Sequence, residues 1–74
     1  MSDANDLYAQ VQGILSTLPE RVQEIFRLSR MNNLSNKEIA EELNISQRTV
    51  ENQISIALRK LRSELEIVRT LLLF

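Results

Sequence analysis

Five polar side chains, Arg48, Glu51, Asn52, Ser55 and Arg59, recur at helical spacing in the second half of the chain. That spacing puts them on one strip, opposite Val50, Ile54, Leu58 and Leu61. An amide and a guanidinium can each make paired hydrogen bonds to a purine edge. Asn52 and Arg48 are therefore the leading candidates to read bases in a major groove. Glu51 could accept from the amino group of cytosine, and the Ser55 hydroxyl reaches the same edge. Asn36, Lys37, Ser46, Gln47 and Arg59 suit phosphate oxygens, helped by backbone N–H groups at two helix starts.

The remaining inventory leaves little room for other chemistry. With no Cys, no His, no Trp, one Gly and one Pro, the 74 residues hold no disulfide framework and no Cys/His zinc site. A His-based triad and a glycine-rich phosphate loop are excluded as well. Glu41 and Glu42 are adjacent, so on a helix they point about 100° apart and do not converge on one substrate. Neither an enzyme nor a bound cofactor or metal is expected.

Charge is uneven along the chain. The net value is −1. Residues 46–62 carry Arg48, Arg59, Lys60 and Arg62 against Glu51 alone, a net +3, whereas residues 1–45 sum to −3 and residues 63–74 to −1. A local basic stretch on an acidic domain can meet phosphate, with fewer counterions released than for a strongly basic domain. The polar, acidic start Met1–Asp6 is unlike a signal peptide. Leu71-Leu72-Leu73-Phe74 is far short of the ~20 apolar residues a membrane span needs. A cytoplasmic protein without a membrane partner is expected.

One domain of all-α class accommodates this chain, with hydrophobic residues at 43% and charged residues at 26%. Residues 1–6 read as a disordered lead. Leu7, Val11, Ile14, Leu15 and Leu18 form the apolar face of a first helix, which Gly13 weakens by up to ~1 kcal/mol relative to Ala. Tyr8 and Phe26 read as core or core-edge residues. Pro19 fits the first position of a second helix, with Val22, Ile25 and Phe26 buried, ending near Met31-Asn32-Asn33. Ser35-Asn36-Lys37-Glu38 has the form of a capping box at the start of a third. Asn44 tolerates the left-handed conformation that ends it, and Ser46 caps a fourth.

The fourth helix reads as long. Val50, Ile54, Ala57, Leu58, Leu61, Leu65, Val68 and Leu72 keep the three-four spacing to the end, so 63–74 is expected as an apolar helical extension. An end of that kind must fold back or meet a partner, and Leu71–Phe74 is the stretch through which association would occur.

Two short helices joined by a three-residue turn, one from Asn36 to Leu43 and the next from Ser46, describe a helix-turn-helix. Ala40 is small where the second helix crosses it. Ile39, Leu43, Ile45, Val50 and Ile54 lock the crossing from beneath.

The pieces Leu18-Pro19-Glu20-Arg21, Val22, Ile25-Phe26, the run Leu34 to Ser46, Thr49-Val50, Ile54 and Ala57-Leu58-Arg59-Lys60-Leu61-Arg62 together resemble region 4 of an extracytoplasmic-function sigma factor. The likeness spans about Leu7 to Arg62. The Leu-Pro-Glu opening and the Ala-Leu-Arg-Lys-Leu-Arg close are its more specific parts. It implies recognition of the promoter −35 element in double-stranded DNA, contact with the β flap of RNA polymerase, and an anti-sigma factor as a further partner. The central Ser-Asn-Lys-Glu-Ile-Ala block is shared with LuxR-type regulators, which would bind an inverted repeat as dimers. A protein–protein docking module that never reads bases is the alternative from another class.

Overall fold

The computed structural model describes the backbone of residues 3–65 and the side chains of residues 7–65. Four helices follow one another: α1 (Asp3–Leu15), α2 (Glu20–Arg30), α3 (Asn36–Leu43) and α4 (Gln47–Glu64). Among the described residues there is no strand. None of the described helices is long and apolar enough to cross a membrane. The longest, α4, packs against each of the other three, and α2 also packs on α3.

The helix boundaries follow from local chemistry. After α1 the chain tightens, with Thr17 N–H donating to Ile14 O at 3.1 Å and Leu18 N–H to Leu15 O at 3.0 Å. Pro19 sits just outside α2 rather than at its first position: its ψ of 149° is extended, so the helix begins at Glu20. Its carbonyl still accepts from Gln23 N–H at 3.1 Å, and its missing N–H costs nothing there. Past α2, Asn33 turns the chain with φ 57°, a conformation Asn tolerates better than most residues.

Two apolar clusters divide the interior. One joins Leu15, Val22, Phe26, Ala57, Leu61 and Leu65, and so binds α1 to α2 and the far end of α4. The other joins Ile25, Ile39, Ala40 and Val50, with Leu28, Leu34, Leu43, Ile45 and Ile54 packed around it. Ile25, Ile39 and Val50 are fully enclosed. Ala40 is buried as its small size requires.

Several expectations need correction. The chain enters α1 at Asp3, within the lead expected to lack structure. Helix α4 stops at Glu64 after 18 residues, because Leu65 takes an extended conformation (φ −74°, ψ 115°) while burying its side chain in the first cluster. Of the extension expected over 63–74, Ser63 and Glu64 close α4 and Leu65 has left it; Val68, Leu72 and the stretch Leu71–Phe74 lie outside the described residues. Tyr8 is not a core residue, with 58% of its surface exposed, and Leu7 is exposed as well. Both face an open groove rather than the packed interior.

Candidate nucleic-acid interface

The reading helix is held by caps and a turn that the local sequence supplies. Ser35 and Glu38 form the reciprocal pair at the start of α3: Ser35 N–H donates to Glu38 Oε1 at 2.8 Å, and Glu38 N–H donates to Ser35 Oγ at 3.1 Å. These bonds favour the charged carboxylate. The backbone N–H of Ser35 is the main reason, and its side chain the second, that Glu38 ionises below its ordinary value of 4.5. At the other end Asn44 is left-handed (φ 57°, ψ 49°), and Ile45 N–H reaches Ala40 O at 2.9 Å.

Ser46 then opens α4. Its Oγ accepts from Thr49 N–H at 3.0 Å and shares a 2.9 Å hydrogen bond with the Thr49 hydroxyl. Val50 N–H closes the first turn onto Ser46 O at 3.1 Å. The amides of Gln47 and Arg48 precede the first turn's own acceptors, so they are open to an outside anion.

All five strip residues, Arg48, Glu51, Asn52, Ser55 and Arg59, are exposed, while of the residues expected opposite them Val50 and Leu61 are buried and Ile54 and Leu58 half-buried. The helical phase read from the sequence therefore matches the burial. Among the described residues the ion pairs are Arg21–Glu24 and Lys60–Glu64. Arg48, Arg59 and Glu51 take part in neither. Among the described residues Glu51 makes no ion pair, although Arg30 and Glu51 line one depression.

The five phosphate candidates do not form one patch. Lys37 and Gln47 come together across the turn, in a shallow depression shared with Glu41, Asn44 and Ile45. Asn36 is half-buried on another side, in a depression with Glu51, Ser55, Ser29 and Arg30. Arg59 lies 12 residues beyond Gln47, about 18 Å along the helix axis.

Sequence reasoning overlooked Arg30. It ends α2, lies 5.7 Å over the Phe26 ring and lines the depression beside Glu51 and Ser55. Only the packing of α2 against α4 brings it there. No spacing within one helix could have signalled it.

A second surface has the opposite character. Leu7, Tyr8, Val11, Phe26, Met31 and Leu61 line an apolar groove of about 480 Å³, in which Arg27 and Arg30 also take part. It lies over α1, α2 and the far half of α4, away from the capped start of the reading helix.

Comparison with known protein families matches the one described as Sigma-70, region 4 to residues 8–61, from Tyr8 within α1 to Leu61 near the end of α4. Neither the curated proteins nor the solved structures gave a match.

Proposed function

The chain belongs to the sigma-70 region 4 family, the −35 promoter-binding helix-turn-helix of sigma factors, and we propose that it serves a sigma factor of the extracytoplasmic-function type. Family membership makes it a non-enzymatic DNA-binding module whose partners are promoter DNA and RNA polymerase. Its place of work in this reading is the bacterial cytoplasm, where promoter and polymerase meet.

The observation that carries the finer reading is the exposed strip of α4, held by the Ser46 cap and the Asn44 turn. In the proposed complex the first turns of α4 enter the major groove. Arg48 and Asn52 read purine edges, Glu51 accepts from a cytosine amino group, and Ser55 contacts the base edge behind them. Lys37 and Gln47 clamp one phosphate run across the turn, with the amides at the start of α4. When Thr49 donates the hydroxyl hydrogen bond, the Ser46 proton is left for the same phosphates. Asn36 and Arg59 meet the backbone at phosphates apart from that run.

The apolar groove is the surface that fits the β flap of polymerase, because its lining is mainly apolar and it shares no residue with the reading strip. An anti-sigma factor that covered this groove would block assembly without touching DNA contacts.

Selection from a random duplex pool at low salt, followed by anisotropy on the enriched sites, tests the reading. One non-palindromic element bound by one chain is expected. An inverted repeat bound by two chains would replace this reading with a dimeric regulator. Arg48→Ala should weaken binding to the enriched element by about 1–3 kcal/mol, a loss of roughly 5- to 150-fold. An unchanged affinity would remove Arg48 from the reading set.

A further inference from the structure

Arg30 and Glu51 come from different helices and are the two charged side chains in the lining of one depression. Neither joins an ion pair among the described residues. Arg30 has its place fixed from two sides. As the last residue of α2 it meets the negative end of that helix, where a cation is favoured. One turn back, the Phe26 ring lies 5.7 Å from its guanidinium. Phe26 is itself buried in the first apolar cluster, so the core holds this platform.

Glu51 presents the harder problem. A carboxylate carried into a major groove faces the phosphates of both strands, and it loses water as it meets a base. Such a charge is tolerated where a cation stands beside it. On its own helix the close cation is Arg48, three residues earlier. The reading above already gives Arg48 a purine edge. Arg59 lies eight residues further on, about 12 Å along the helix axis. Arg30 approaches Glu51 from another element, and base reading does not occupy it.

We propose that Arg30 is a positioning residue for base recognition, supplying the counter-charge that lets Glu51 accept from a cytosine amino group. This rests on the reading of α4 given above. In the complex the guanidinium donates to the Glu51 oxygen turned away from the base, while its face stays on the Phe26 ring. Base preference at that position then depends on a residue of α2 that touches no base.

A double-mutant cycle on the full chain tests this, read by anisotropy on the selected duplex. Arg30→Met keeps an apolar stem over Phe26 and removes the charge. It should weaken binding about fivefold in the presence of Glu51, and less than about twofold when combined with Glu51→Gln. The same change should relax discrimination for cytosine at the position that Glu51→Gln also relaxes, and leave other positions alone. Arg30→Lys restores the charge without the planar stack and should recover most of that preference. Equal losses in both backgrounds would overturn the proposal. With a salt slope lower by about one, they would make Arg30 a phosphate contact. With a lower urea midpoint and an unchanged slope, they would reduce it to a packing role. Unchanged affinity would overturn the proposal too. If Glu51→Gln alters neither affinity nor preference, Glu51 is not at the DNA and the proposal falls. One element bound by one chain would still support the promoter reading in that case.

Discussion

The two ends of α4 lie in one molecule and are built differently. Around its start, Ile25, Ile39 and Val50 are fully enclosed, and the outer surface is polar. Around its far end, Leu15, Phe26 and Leu61 are buried, yet an apolar groove opens beside them. Helices α2 and α4 contribute to both clusters, so the contrast is set by what joins them. At one end α3 is short, capped at its start and closed by a left-handed Asn, and it seals the cluster. At the other end α1 leaves Leu7 and Tyr8 exposed at the side of the groove. A sealed end holds a polar strip at a fixed angle for reading. An open apolar end suits a protein surface.

The sharpest way to break this contrast is to remove matched side chains from the two ends. Val50→Ala should cost about 1–3 kcal/mol in urea unfolding, since its side chain is fully enclosed and the cavity cannot drain to solvent. Leu7→Ala should cost under about 0.5 kcal/mol, because much of that side chain is already in water. Equal losses would mean that the groove side is as closed as the reading side.

A middle-sized effect belongs to the cap of the reading helix. Ser46→Ala removes the acceptor of Thr49 N–H and should lower stability by about 1 kcal/mol. Ser46→Gly should cost only a few tenths. Thermal unfolding of the two variants separates the cap from any DNA role, which would show only in affinity.

On the groove side, α1 carries a weakness that can be repaired. A Cβ added at Gly13 would meet nothing within 4 Å, and the residue is in a helix. Gly13→Ala should therefore stabilise the chain by about 0.5–1 kcal/mol, read as a higher urea midpoint. A loss of stability would show that α1 is held in a different register.

The smallest expected effect is a dependence on acid. Glu38 has its carboxyl held below its ordinary 4.5 by the Ser35 N–H and hydroxyl. A lowered folded value means that its contribution is complete above 4.5 and is lost as pH falls through the lower folded value. Glu38→Gln should flatten that part of the stability–pH curve. The same slope in both proteins would place the acid sensitivity elsewhere.

Legibility in the sequence follows the range of each interaction. The capping box Ser35–Glu38, the left-handed Asn44 and the Ser46 cap act over three or four residues, so the residue types announce them. The polar strip from Arg48 to Arg59 is legible for the same reason, since one helix fixes its phase. The stop at Leu65 is not: apolar spacing continues to Leu72 and no Gly or Pro intervenes. Spacing reports which face is apolar, and it does not report where the backbone leaves the helix. The exposure of Tyr8 and the approach of Arg30 to Glu51 and Ser55 depend on how one helix packs against or crosses another. Those are tertiary facts with no local signature.

The division of labour between the two ends can be measured directly by mapping amide shifts of the full chain on adding the selected duplex. Shifts are expected at Lys37, Gln47, Arg48, Glu51 and Asn52, with Leu7, Tyr8, Val11 and Met31 silent. Shifts at the groove with a silent start of α4 would contradict it.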